Sequence, residues 1–577
     1  MLPLMTRAVA FERFGSRLID LVIFSALVAL VYGIAVAALP WFGPVSPQVE
    51  ISLAPRALPA YAGYSLLRMA VAYLLSLLFA LIYGYVAAYH ARAERVMIPL
   101  LDVLQSIPVL SFLPGVMLAM VALFPTRQLG VELGSIILIF TGQAWNLAFS
   151  FYSSLKSIPR ELREAADIYR FNRWQRFTQL ELPYAAIGLI WNSMMSVAGG
   201  WFFLMACEMF VLGQRDFRLP GLGSYLQTAA SAGDTHAILW GLAMMIGIIV
   251  VLDQLLWRPL IAWADKFKFE QVENALAPRS VVLDLLRRSH ALTQLNRRLF
   301  RPIGEAIQLR FARRASERLA LRSAGRSELA RAIEYLCAAL LAALIGYGVW
   351  RAARTFSTLT AAEVQLLVRS AAATFLRVVA ALLIGVVWTV PVGVWVGLRP
   401  GLARVAQPLA QIAASIPATA LFPVLLLVLI RWGGGINVGA IALMLLGTQW
   451  YILFNVIAGA TAIPNDLREV TALFGFGLLD RWRSLILPAI FPYLVTGLVT
   501  AAGGAWNASI VAEYFNFKGE TLIATGLGAT ISRATDEGNL DLLLASTLTM
   551  ILIVVLINRL VWRRLYRLAA TRFKLET

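Results

Sequence analysis

The chain has 577 residues, of which 60% are apolar and only 14% charged. So little charge excludes a soluble globule of this length and describes a polytopic membrane protein. The net charge of +18 would suggest nucleic acid in a soluble protein. Here the basic residues fall in loops between apolar runs, and no nucleic-acid partner is read from them.

A membrane span needs roughly 20 apolar residues. Twelve runs qualify in chain order, near 18–40, 62–90, 97–124, 131–155, 184–212, 236–262, 332–350, 367–398, 403–431, 436–460, 489–515 and 540–565. The first follows Arg7, Arg13 and Arg17 but lacks a clear small-residue cleavage site, so it reads as an uncleaved anchor. Arg and Lys gather in alternate loops: Arg92 and Arg95, Lys156 to Arg176, Lys266 to Arg331, Arg399 and Arg404, Arg468 to Arg483, and Arg559 to Lys574. The positive-inside rule makes these loops, and with them both termini, cytoplasmic; Arg351 and Arg354 fall on the other side. Cys207 and Cys337 both lie in apolar runs and imply neither a disulfide framework nor a metal site.

An internal repeat organises the chain. At a constant offset of 305 it pairs Trp145 with Trp450, Pro159 with Pro464, Leu162-Arg163-Glu164 with Leu467-Arg468-Glu469, and Trp201 with Trp506. The register continues through Gly221-Leu222-Gly223 with Gly526-Leu527-Gly528, Gly233 with Gly538, and Trp257-Arg258 with Trp562-Arg563. Upstream the offset becomes 309, pairing Gly84 with Gly393, Ser106-Ile107-Pro108 with Ser415-Ile416-Pro417, and Pro114 with Pro423, so one loop near 124–134 differs in length by four residues. The division that follows is a first repeat at 1–265, a basic linker at 266–330 and a second repeat at 331–577. Six spans per repeat, an even number, make the copies parallel about an axis along the membrane normal, which suits a pathway at their interface. The Arg-rich linker fits helices lying on an anionic lipid leaflet or a partly ordered solvated connection.

Two loops in matched register, 157–183 and 462–488, carry the most specific signal. The first reads Glu164-Ala165-Ala166, Arg170, Leu180, Leu182 and Pro183; the second reads Glu469-Val470-Thr471, Gly475, Leu485, Leu487 and Pro488. Pro159 and Pro464 suit a helix start, and Glu161, Glu164, Asp466 and Glu469 fall where the helix dipole favours negative charge. A short cytoplasmic helix with an apolar face either docks another protein or packs on its own bundle. Its duplication favours a partner present in two copies.

The pattern Glu-Ala-Ala, three residues, Gly, nine residues, Ile, one residue, Leu-Pro resembles the coupling loop of permease subunits of binding-protein-dependent ABC importers. Arg170 stands for the glycine in the first copy, and Val470-Thr471 for Ala-Ala in the second. Ser-Ile-Pro with a second proline six residues on, Gly504-Ala505-Trp506 ahead of Glu513, Gly-Leu-Gly after that span, and the closing Asn558-Arg559-Leu560-Val561-Trp562-Arg563 narrow the resemblance to the nitrate/sulfonate/taurine type. The resemblance implies an all-α polytopic fold of two parallel six-helix repeats, the type I importer permease fold. It also implies residence in the bacterial cytoplasmic (inner) membrane, two copies of an ABC ATPase subunit as partners, and an external solute-binding protein. ATP and Mg would then sit on those partner subunits; no Gly-rich loop ending in Gly-Lys-Ser/Thr occurs here, and the chain itself carries neither catalytic residues nor a cofactor.

Ionisable and helix-breaking residues at membrane depth are the pathway candidates. Glu208 and Glu513 occupy matched positions; they either line the outer end of the path or accept hydrogen bonds from loop amides, and the second is favoured because two carboxylates would repel an anionic solute. Pro108, Pro114, Pro417 and Pro423 interrupt the third span of each repeat, with Ser106 and Ser415 beside the breaks. Asn146, Asn507, Trp201 and Trp506 lie in spans expected to face the axis. The function this predicts is a permease moving a small solute, such as nitrate, a sulfonate or bicarbonate, by alternating access. The rivals are an ion-driven secondary transporter or channel, and an ABC exporter or lipid-handling permease on the same scaffold.

Overall fold

The computed structural model describes residues 50–212, 215–267, 280–295, 328–431, 435–517 and 520–572, with scattered residues between 19 and 43 and between 297 and 306. In the first half the principal helices are α1 (Leu58–Tyr89), α2 (Ala91–Ser106), α3 (Leu113–Leu123), α4 (Leu129–Lys156), α5 (Arg160–Ile168), α6 (Leu182–Glu208), α7 (Leu222–Ala232) and α8 (Thr235–Leu252). The second half has α9 (Glu328–Ser357), α10 (Ala361–Gly397), α11 (Pro400–Ser415), α12 (Ala418–Arg431), α13 (Ile436–Thr461), α14 (Asn465–Leu473), α15 (Leu487–Ala512), α16 (Leu527–Glu537) and α17 (Leu540–Ile557). Two short hairpins, Val211–Leu212 with Arg215–Asp216 and Tyr514–Phe517 with Glu520–Ile523, follow α6 and α15.

Among the described residues eight helices are long and apolar enough to cross a membrane, or nine if one bent pair counts as a span. The difference from twelve has a local cause. The run expected at 97–124 is two helices, because α2 stops at Ser106, Ile107 and Pro108 are extended, and one 3-10 turn at Val109–Phe112 precedes α3. Proline lacks the N–H that would continue the ladder, and Pro114 is accommodated where α3 begins, among donors that have no helical partner anyway. The matched pair α11 and α12 bends by 85° at the Ser415-Ile416-Pro417 break. The run at 332–350 lies within α9, whose 30 residues span roughly 45 Å. Of the run at 18–40, residues 19–26, 28–29 and 32–36 are described and α-helical, whereas most of the 266–330 linker lies outside the described residues. Of the linker, helices at Val281–Arg288 and His290–Leu295 are described, and the Asp20 carboxylate accepts the Ser289 hydroxyl at 2.5 Å and the Ala291 N–H at 3.2 Å.

The repeat holds down to backbone irregularities. Wide π-type turns occur at Phe177–Glu181 and Trp482–Ile486, and again at Asp253–Trp257 and Asn558–Trp562, each pair in the 305 register. Helices α7 and α16 both end in a left-handed glycine, Gly233 and Gly538, as the absence of Cβ permits. Within each half the long helices pack in the order α1, α4, α6 and α10, α13, α15. The broken helices reach into the other half: the turn at Val109–Phe112 lies on α15, and α12 lies on α6. Asn507 Oδ1 accepts the Leu110 N–H at 3.4 Å, and the Thr547 hydroxyl donates to the Ser111 carbonyl at 3.2 Å, so α15 and α17 both grip the first-half break. One contiguous apolar core therefore runs through both halves.

Candidate functional site

Three features are candidates: a buried charge cluster in each half, a column of cavities along α6, and the two repeated loops. The charge clusters lie at the end of α6 and α15 remote from those loops. Arg68 of α1, 1% exposed, directs its guanidinium at two carboxylates. Its Nε and Nη2 donate to Glu132 at 2.5 and 2.7 Å, and its Nη1 donates to Glu208 at 2.8 Å and to the Pro220 carbonyl at 2.9 Å. Glu208 also accepts the Ser65 hydroxyl at 2.6 Å and the Gly223 N–H at 2.8 Å. Arg377 repeats the arrangement, donating to Glu513 at 2.8 Å, to the Thr525 carbonyl at 2.7 Å and to Asn437 Oδ1 at 2.6 Å. Glu513 accepts from Thr374 at 2.8 Å and from the Gly528 N–H at 2.9 Å.

Glu208 and Glu513 are thus wholly buried and saturated by donors from their own half. Each ties the end of a long helix to the start of the short helix that follows it. The glycines there are a packing requirement: a Cβ on Gly221 would lie 2.3 Å from the Glu208 carboxylate, and one on Gly526 2.1 Å from that of Glu513. The clusters differ in charge, since Glu132 is matched by the neutral Asn437. Arg68, Glu132 and Arg377 were not singled out from the sequence, although Arg68 and Arg377 match at offset 309 inside apolar runs and could have been.

The cavities follow α6 along its length. Near its far end a cavity of about 260 Å³ between the halves is lined by Arg218 and Gln227 from one and by Tyr514, Asn516 and Asp536 from the other. Burial pushes the Asp536 carboxyl above the usual aspartate range, opposed by the hydrogen bond donated from the Tyr514 hydroxyl. At mid-helix a chamber of about 100 Å³ is bounded by residues 195–203 of α6 and by α11, α13 and α15 of the second half, with Pro417 and Asn507 on its wall. Toward the loops an open groove of about 410 Å³ between α4 and α6 is lined by Asn146, Asn192 and four serines. Ser415, whose hydroxyl donates to the Gln411 carbonyl at 2.8 Å, shares a small space of about 20 Å³ with Trp201. Trp201 and Trp506 are buried in the core, Pro108 is buried at its break, and the Ser106 side chain lies outside the described residues.

In the repeated loops, Pro159 and Pro464 are the N-caps of α5 and α14. Ala166 and Thr471 are buried, whereas Glu164, Glu469 and Val470 face solvent and Ala165 is half-buried. Each helix closes with a residue in the left-handed region: Arg170 at φ 50° and Gly475 at φ 63°. The closures are alike, with Phe171 N–H donating to the Ala166 carbonyl and Phe476 N–H to that of Thr471. Just before that residue each loop exposes an apolar pair, Ile168-Tyr169 and Leu473-Phe474; Tyr169 is 76% and Phe474 75% exposed. Leu182 and Pro183 are half-buried, Leu182 against the cluster that includes Phe151 and Leu155. Pro488 is half-buried and Leu487 exposed.

The family described as binding-protein-dependent transport system inner membrane component matches residues 52–256 and again residues 389–574. The chain belongs to that family. It is a multi-pass, all-α transport permease rather than an enzyme, carrying the type I ABC permease fold twice in one polypeptide. The permease is similar to the nitrate import permease protein of Leptolyngbya laminosa, 26% identical over 190 residues that make up 33% of this chain and 64% of the relative. It is similar to the bicarbonate transport system permease protein of Synechococcus elongatus, 30% identical over 141 residues, 24% of this chain and 49% of the relative. It also resembles the taurine transport system permease protein of Escherichia coli, 26% identical over 189 residues, 32% and 64% of the two chains. The matched stretches thus span less than two thirds of each of these relatives.

Proposed function

We propose that this permease forms by itself the whole membrane pathway of an ATP-driven importer, moving a small solute between its halves by alternating access. Two separate ATPase subunits, holding ATP and Mg, supply the energy, and an external solute-binding protein delivers the solute. The loops 157–183 and 462–488 are the cytoplasmic levers on which the ATPases act. Glu164, Ala165, Ala166, Arg170, Leu182 and Pro183 serve one, and Glu469, Val470, Thr471, Gly475, Leu487 and Pro488 the other.

The observation that carries this reading is the pair of solvent-facing apolar tips, Ile168-Tyr169 and Leu473-Phe474, at equivalent places in the two halves. An exposed ring and an exposed aliphatic side chain beside charged helices mark a protein-binding surface, and two such tips suit a partner present twice. The names of the relatives, which cover nitrate, bicarbonate and taurine, support import of a small polar solute. Asn146, Asn507 and Pro417, which border the cavities, are the pathway residues, with Ser106, Pro108, Ser415 and Trp201 at or beside its turns. Trp506 supports it from the core, and Glu208 and Glu513 brace its outer end. Both termini are cytoplasmic by this reading, in the bacterial inner membrane.

Purification from native membranes tests it. Two ATPase subunits per chain, together with solute uptake into proteoliposomes that requires ATP, are expected; uptake driven by an ion gradient in their absence would refute it.

A further inference from the structure

The mid-helix chamber tells which class of solute the pathway takes. Its walls carry five aromatic rings: Phe202 and Phe203 from the first half, and Trp450, Tyr451 and Phe454 from the second. These rings are braced. Phe202 and Phe203 meet edge to face with centroids 5.5 Å apart, and the Phe203 ring fills the place where a Cβ on Gly142 would stand, 2.4 Å from its nearest atom. Trp450 is held edge-on by Trp388 at 6.5 Å. Among the described residues no Arg, Lys, His, Asp or Glu lines the chamber; its polar groups are neutral, chiefly Asn507 and Gln411.

The charged residues of the column stand elsewhere, Arg218 and Asp536 in the far cavity and Asp253 in the small space beside Trp201. A bare inorganic anion at mid-membrane would exchange its hydration shell for ring faces, whose quadrupole is negative, and for a few neutral amides. An organic body loses little there and gains contact with the rings. The fused chain also makes the chamber two-faced, because Phe202 and Phe203 of one half are matched at offset 305 by Asn507 and Ala508 of the other. Its volume, about 100 Å³, is of the order of the roughly 150 Å³ that admits benzene.

We infer that the transported solute has an apolar, ring-sized organic body bearing a polar group, with the body against Phe202 and the polar group toward Asn507 and Gln411. Nitrate and bicarbonate are thereby not its solutes. This rests on the chain being the permease of an importer.

The test is equilibrium binding of benzoate and benzenesulfonate to the full chain with its ATPases in nanodiscs, followed by saturation-transfer NMR against empty nanodiscs. Specific aryl signals are expected. They should fall at least tenfold in Phe202→Ala and in Phe454→Ala, persist in Phe202→Tyr, and resist equimolar nitrate or bicarbonate. No aryl signal, signals unchanged in both alanine variants, or displacement by equimolar nitrate would overturn the inference. ATPase content is measured on the same samples. Its presence without aryl binding refutes this inference alone, whereas its absence refutes the importer reading beneath it.

Discussion

Arg68 Nη1 lies 2.8 Å from Glu208 Oε1, with the two side chains 1% and 0% exposed. A guanidinium and a carboxylate so placed have given up hydration for each other, for Glu132, and for backbone groups at Pro220 and Gly223. Such a cluster adds little net stability over an apolar filling, but losing one member strands the others. Arg68→Met should therefore cost about 3–5 kcal/mol, read as a lowered melting temperature in detergent. Adding Glu132→Gln and Glu208→Gln to the same chain should recover part of the loss, since no unpaired charge then remains.

The glycines opposite the two carboxylates give a steric prediction. Gly526→Ala would place its Cβ 2.1 Å from Glu513 Oε2, a group fixed by Arg377, Thr374 and Gly528 and unable to yield. Overpacking of this kind costs about 1–3 kcal/mol. Gly247→Ala, with nothing within 4 Å, should leave the melt unchanged or raise it slightly, and is the control.

Arg170 occupies a left-handed conformation at φ 50° where its counterpart is Gly475 at φ 63°. A side chain there costs on the order of 1–2 kcal/mol, so Arg170→Gly should slow hydrogen exchange at the 166–171 amides. Gly475→Ala should speed exchange at 471–476 by a comparable factor. The Arg170 side chain is exposed at the end of the helix, where a partner can reach it. The same Arg170→Gly variant should therefore bind ATPase less tightly while being locally more stable.

Asp536 gives a pH dependence. Its carboxyl is pushed up by burial, so the folded state binds the proton more tightly than the unfolded one. The associated stability is fully present below the ordinary aspartate range near 4 and is lost as pH rises through the raised value. Asp536→Asn removes this dependence. The melting temperature of the variant relative to the parent should therefore rise as pH increases from 4 upward, and a difference flat with pH would contradict the assignment.

How much of this was legible beforehand depends on the kind of signal. The duplication was legible because it rests on fixed spacing, and the structure extends it to π-type turns and left-handed glycines that no residue pattern announces. The breaks at Pro108 and Pro417 were legible from the missing N–H, but whether a break kinks a span or splits it depends on the neighbour that receives the freed groups, here α15 and α17. The partners of Glu208 were not legible. Its side-chain donors Ser65 and Arg68 lie 143 and 140 residues away from it in sequence, and only packing brings them together. The chamber was partly so: Asn507 was singled out, but Phe202, Phe203 and Tyr451 look like ordinary span residues until the two halves face each other.

If the two loops receive force from ATPase subunits, removing their exposed side chains should uncouple the permease. A chain carrying Glu164→Ala, Tyr169→Ala, Glu469→Ala and Phe474→Ala together is purified from native membranes beside the parent, and bound ATPase and ATP-dependent uptake are quantified on both. At least a tenfold loss of both is expected while the chain still inserts and melts as the parent does. ATPase retained at two per chain with undiminished uptake would contradict it.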